Sequence, residues 1–320
     1  SYIARRVLYS IPVVIVSSFL LFVAVRVTFD PSEKLRFSRD PNAIARYRAK
    51  FGLDDPIPVQ WWKWFKNFIT GDWGISSRTN GDVFPMITRA LGFTVQLIVW
   101  GVVLAAIISI AIGVYSAVRQ YSIPDYIFTG LSYVGLSMPP FWFGLIAIQF
   151  FAFTVKDWLG LDEAPLKFVG LHSTGMSGLN LDYLRHLVLP VLTLTVQIIA
   201  EWSRYQRSSM LDVLNSDYVR TARAKGLPRG KVIRRHALRN ALGPLVTVIA
   251  IESALLFGGL IITERIFSIP GMGRLFLDSL QTGDAYTLMG WFMVGALFVV
   301  VFNLLADLIL AALDPRVRLQ

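Results

Sequence analysis

Apolar residues along this chain of 320 residues gather into runs at 7–29, 91–118, 126–155, 187–200, 241–263 and 287–313. Each approaches the length needed to cross about 30 Å of hydrocarbon. Such runs predict helices, because a segment in lipid has to satisfy its own backbone polar groups. The fourth run is short alone. Extended to 183–202 it reaches about 20 residues, with Arg185, His186 and Glu201 at interfacial depth, where polar groups are tolerated. The first run exceeds the apolar core of a cleavable signal peptide and no small-x-small site follows it, so it is expected to remain as an anchor. The expectation is an all-α polytopic membrane protein with six transmembrane helices. It divides into 1–29 (N-terminus and first span), an extracytoplasmic segment 30–90, and a five-helix core 91–320 that contains a cytoplasmic loop 201–240.

Composition agrees: 54% hydrophobic and 16% charged residues are too apolar for a soluble domain. Lys and Arg exceed Asp and Glu by 31 to 21, which raises nucleic acid or lipid headgroups as partners. Their distribution decides. With both termini on one side, the loops there hold 15 Lys or Arg, against 5 in the short loops opposite. The opposite side also carries the long segment 30–90, which has 10 more but translocates largely regardless of charge. Both termini and the loop 201–240 are therefore expected in the cytoplasm, and no nucleic acid is required. The absence of cysteine excludes disulfides and thiolate metal sites or nucleophiles.

Several positions break the apolar pattern. Ser137, Met138, Pro139 and Pro140 interrupt the third run near its middle, where two prolines remove two backbone donors. The break reads either as a wall of a translocation path or as a kink within the bundle. Glu252 lies mid-span in the fifth run and Asp307 deep in the sixth, each costing about 3 kcal/mol to insert unless paired or hydrated. Glu252 reads as a path-lining group or as a packed, hydrogen-bonded one. Arg26 is placed to snorkel to the headgroups. Outside the membrane, Trp61, Trp64, Phe65 and Phe68 share a helical face beside Trp62, after Pro58 and before Gly71. That helix lies at the outer headgroup level or forms the core of an external subdomain.

The loop 201–240 has helix grammar of its own. Asn215, Ser216 or Asp217 can cap a start, Ala222 and Ala224 favour helix, and Gly226 followed by Pro228 ends it. Tyr218, Ala222 and Lys225 recur at helical spacing as a stripe flanked by Arg220 and Arg223, which suits a partner's groove or a solvated basic surface.

The stretch DYVRTARAKGLPRGKVIRRHALRNAL at 217–242 resembles the cytoplasmic coupling loop of bacterial ATP-binding-cassette (ABC) importer permeases, in the B-type subunits of the dipeptide, oligopeptide and nickel branch. FGLDDPIPVQWWKWFKNFITGDWGIS at 51–76, ERIFSIPGMGRL at 264–275 and DLILAALDPRVR at 307–318 extend the resemblance over nearly the whole chain. The general E-A-A-x-x-x-G pattern has Glu where this chain has Arg220 and Ala where it has Thr221; Ala222 and Gly226 match.

The resemblance implies a type I ABC importer permease fold and import of di- or oligopeptides, with nickel or glutathione as other cargo of the same branch. It implies that Asp217, Tyr218, Arg220, Thr221, Ala222, Arg223, Ala224, Lys225 and Gly226 dock on a cytoplasmic ATPase. It further implies a second homologous permease, two ATP-binding subunits that hold ATP and Mg, and an extracytoplasmic substrate-binding protein for which Trp61, Trp62 and Trp64 form a candidate docking surface. Met138, Pro139, Pro140 and Glu252 are the candidate path residues. The chain itself is expected to bind no cofactor or metal and to catalyse nothing. Residues 226–232 lack the spacing and hydroxyl of a phosphate loop, 271–276 lack the third glycine of a dinucleotide fingerprint, and His172, His186 and His236 have no ligand spacing. A self-contained secondary transporter is the alternative. It calls for intramembrane ionisable groups and internal repeats; two such groups are present and no clear repeat.

Overall fold

The computed structural model describes residues 2–32, 35 and 40–313, and the side chains of these except at 2–7, 51, 259, 306 and 310–313. The segment 314–320, part of the basic-side count above and of the last matching stretch, lies outside them.

Helices follow in the order α1 (Tyr2–Thr28), α2 (Ala43–Phe51), α3 (Ile57–Ile69), α4 (Val83–Val118), α5 (Ile123–Ser137) and α6 (Pro140–Ala147). A π-helical stretch Ile148–Thr154 joins α6 to α7 (Val155–Leu159), and α8 (Leu181–Leu214) and α9 (Asp217–Ala224) come next. A short α10 (Arg229–Lys231) runs through a second π-helical stretch, Val232–Leu238, into α11 (Arg239–Gly259). Then come α12 (Ile261–Ile266), α13 (Met272–Thr282) and α14 (Ala285–Leu313). Among the described residues the β-structure is one isolated antiparallel bridge, Ile75 to Asp82.

Six stretches are long and apolar enough to cross a membrane, in the expected order. Two boundaries differ from expectation. The third run is broken at Met138–Pro139, and the stretch Pro140–Leu159 alone has spanning length. The fourth does not stop at Trp202: α8 continues unbroken to Leu214, 34 residues or about 50 Å. The expected loop 201–240 is therefore mostly helix. Charges at Glu201, Arg204 and Arg207 end the hydropathy signal, but they do not end the helix. Ser203, Gln206 and Met210 keep a buried face at helical spacing.

The chain forms two compact units, one from the stretch up to Thr94 with Pro270–Val301, the other from Val95–Ile269 with the chain from Phe302 onward. In the first, α3 lies along α1. Trp64 and Phe68 are buried with Phe22, Val25, Leu288, Met289 and Met293, and the Trp61 indole donates to Ser18 Oγ at 3.2 Å. The helix starting at Ala285 is preceded by buried Asp284, whose carboxylate accepts from Ser76 Oγ, from the Ser77 N–H at 3.2 Å and from Thr287 Oγ1 at 2.9 Å. Arg26 does not snorkel. Its guanidinium turns inward and donates to Gln60 Oε1 at 3.0 Å and to the Leu53 carbonyl at 3.2 Å, because these acceptors lie within its reach.

In the second unit α8 is central, with α5, α6 and α11 packed along it. Trp202 is fully buried with Ala105 and Leu245. Further along, Met210 packs with Ala117, Ala237 and Ala241. Gly113 permits a close approach of α4 to α8, since a Cβ there would stand 2.8 Å from the Ser203 carbonyl and 2.6 Å from Gln206 Cβ.

Candidate coupling site and path residues

α9 is a two-turn helix mounted on its own small core. Val219 and Ala222 are buried against Val232, with Val213 and Leu227 around them. The rest of the helix is exposed: Asp217, Tyr218, Arg220, Thr221, Arg223 and Ala224, followed by Lys225 and Gly226. The expected stripe of Tyr218, Ala222 and Lys225 is thus not one surface. Val219 competes for the inward direction, so Ala222 turns in with it three residues on, and Tyr218 and Lys225 remain outside. Ser216 takes the N-cap position, yet its hydroxyl donates back to the Val213 carbonyl at 2.6 Å. At the other end Gly226 adopts φ +76°, the left-handed conformation that only glycine enters freely, in open space. Arg220 and Asp217 stand 3.7 Å apart on the exposed face.

Three contacts tie this region into its unit. The Arg229 guanidinium donates to the Val118 carbonyl at 3.1 Å, joining the segment after α9 to the end of α4. Arg207 on α8 grips Asp125 at the start of α5 with two bonds of 2.9 Å, a bidentate pair in which the Asp125 side chain is 3% exposed. The same carboxylate accepts the Tyr121 N–H at 2.9 Å. Hydrogen bonding from Arg207 holds the Asp125 carboxyl below the usual carboxylate range against the opposing effect of burial. The Asp125 carboxylate therefore joins α8 to the 119–125 connection, and Arg229 separately joins the segment after α9 to the end of α4. Sequence reading missed Arg207 and Asp125 as a pair, since 82 residues separate them; an acid and a base at the edges of two apolar runs were the available signal.

The Met138–Pro139 break is present. Met138 and Pro139 are extended between α5 and α6, and Gln197 on α8 donates to the Met138 carbonyl at 2.8 Å. Tyr133, Val134, Met138, Pro139, Phe141 and Trp142 line a hollow of about 630 Å³ beside it. Gln197 was not singled out in the sequence, where a lone Gln in an apolar run signals only that it needs a partner. Glu252 accepts a hydrogen bond from the Trp202 indole, so its carboxylate has a partner within the bundle. Of the tryptophans on α3, Trp64 is 8% exposed and belongs to the core, Trp61 is half-buried against α1, and Trp62 is 58% exposed. Burial removes Trp64 from the expected docking surface, because its face of α3 is the one that packs on α1. Among the described residues no group of His, Asp or Glu is arranged to hold a metal.

Two family models match the chain. Residues 109–319 match the binding-protein-dependent transport system inner membrane component, and residues 1–107 match the N-terminal part of such membrane components. The oligopeptide transport system permease protein AppB of Bacillus subtilis is 39% identical over 99% of this chain and 99% of its own length. The dipeptide transport system permease protein DppB of Escherichia coli is 37% identical over 99% and 98%. Oligopeptide transport system permease protein OppB of Mycobacterium bovis is 36% identical over 100% and 99%. An inward-facing structure of the methionine ABC transporter MetNI shares the fold, with a TM-score of 0.53 at 17% identity over 72% of this chain and 96% of that one. The fold is thus that of a type I ABC importer permease, and the chain belongs to the family of binding-protein-dependent transport system inner membrane components.

Proposed function

We propose that this chain is the membrane permease subunit of an ATP-driven importer of di- or oligopeptides, and that α9 receives the force. The observation that carries the cargo reading is full-length similarity to three permeases named for oligopeptide or dipeptide transport. Two features support the coupling role. The helix presents Arg220, Thr221, Arg223 and Lys225 outward over a packed base of Val219 and Ala222, and it follows directly on the long α8. ATP and Mg are then held by two cytoplasmic ATPase subunits that close on nucleotide. Their movement displaces α9, and the displacement passes along α8 and through Asp125–Arg207 to α5, whose far end meets the proline break. Transport becomes a two-state switch biased by the ATPases.

In this reading both termini and α9 are cytoplasmic, a second related permease completes the path, and a binding protein delivers peptide to the external segment 30–90, where Trp62 remains accessible. The chain conducts and catalyses nothing. The test is uptake of radiolabelled dipeptide into proteoliposomes holding the permeases, with and without the ATPases and binding protein. Uptake is expected only in the complete system; uptake by the permeases alone would instead indicate a secondary carrier.

A further inference from the structure

The first unit contains a cavity of about 610 Å³, inside the range of about 300–1,000 Å³ typical of small-molecule sites. Its walls come from the end of α1, from α2 and α3, from the turn after α3 and from the start of α14. Deep in it lie Phe22, Trp64 and Met289, all buried, and Trp73 and Tyr286 extend this apolar lining outward. Polar groups of both signs share the lining with them: Lys50, Lys63 and Asp72, all exposed. Arg26 also lines it, its side chain 12% exposed. The Phe68 ring stacks on Trp73 at 4.3 Å and the Trp73 indole donates to the Phe68 carbonyl at 3.0 Å, so this wall is held in place without a ligand.

An aromatic well with cations and a carboxylate at its mouth is the complement of a small zwitterion carrying an apolar side chain. We infer that this cavity is a binding site for a short free peptide on the permease itself, separate from the binding protein and from the hollow at the proline break. The peptide's apolar or aromatic side chain enters the well between Trp64 and Trp73. Its carboxylate meets Lys50 and Lys63, the latter shared with Asp55 at 2.6 Å, and its ammonium meets Asp72. Aromatic faces also favour an ammonium lying over them. The inference rests on the peptide reading above and adds a residence point on the external segment, where cargo released at the outer face is retained before it enters the path. A phospholipid shares the mixture of charge and apolar chain, but it does not need the two termini that a peptide offers.

The test is calorimetric titration of the assembled permease–ATPase complex in nanodiscs with the dipeptide Ala-Phe, in the absence of binding protein. Saturable binding is expected, weakened about tenfold or more by Asp72→Asn and by the pair Lys50→Gln with Lys63→Gln, since each removes a charge-assisted contact. N-acetyl-Ala-Phe-amide, which keeps the side chains and loses both charges, is expected to bind weakly to the wild type and equally weakly to the variants. Equal Ala-Phe affinity in wild type and variants, or no binding to the wild type, would overturn the inference. So would displacement of Ala-Phe by a raised phosphatidylethanolamine or phosphatidylglycerol content of the nanodisc, which would assign the cavity to lipid. Peptide uptake by the complete importer is measured alongside. Uptake without charge-dependent binding sinks this inference and leaves the peptide reading standing, whereas a complete importer that takes up no peptide removes both.

Discussion

Asp125 and Gln197 each answer for a backbone or a charge that cannot find water. Asp125 is buried opposite Arg207, so Asp125→Asn leaves the guanidinium with a neutral partner and is expected to cost about 2 kcal/mol. Thermal unfolding of the purified protein checks this, and Asp125→Asn combined with Arg207→Gln should recover part of the loss. The pair also has a pH signature. Because the folded carboxyl is held below its ordinary value, its contribution is complete from neutral pH down to about pH 4 and is lost as pH falls further, through the folded value. Wild type should therefore lose an acid-sensitive increment of stability that Asp125→Asn lacks. Gln197→Leu removes the donor to the Met138 carbonyl and is expected to cost about 1–3 kcal/mol, read as a lower unfolding temperature with helix content unchanged. Neither pair was legible in the sequence, because both join residues far apart along the chain. Glu252 stood out there because a lone mid-span carboxylate is costly wherever it is, but its partner Trp202 did not.

At the scale of elements, apolar runs located the six spanning stretches, and the double proline located the break between α5 and α6. Where the runs ended was less legible. Hydropathy sees Glu201, Arg204 and Arg207 as an exit from the membrane, while the backbone continues for three more turns because Gln206 and Met210 still have a surface to cover. Likewise the aromatic face of α3 fits a lipid surface as well as it fits α1; the Trp61 to Ser18 bond and the burial of Phe22 decide it. Two substitutions test the element packing. Gly113→Val places methyls against the Ser203 backbone and is expected to destabilise by about 1–3 kcal/mol through overpacking of α4 on α8, measured by denaturation. Gly226→Ala forces a Cβ into the left-handed turn after α9 at a cost of about 1 kcal/mol. Its expected readout is weaker coupling of hydrolysis to uptake, with membrane insertion unchanged.

For the whole molecule, the proposed transport cycle depends on where work enters. The segment proposed to receive it is short, exposed and basic, and its inward residues Val219 and Ala222 pack on Val232. The sequence pointed to this segment through its likeness to the coupling loops of ABC importer permeases, and the structure adds what anchors it: Val219 and Ala222 pack on Val232, and Arg229 reaches the Val118 carbonyl. The central claim is most directly tested by reversing the charges of Arg220 and Arg223 together, as Arg220→Glu and Arg223→Glu, and measuring ATP hydrolysis and dipeptide uptake in the same proteoliposomes of the complete importer. Hydrolysis that persists while uptake falls to background is the expected result. Uptake per ATP equal to that of the wild type would contradict it.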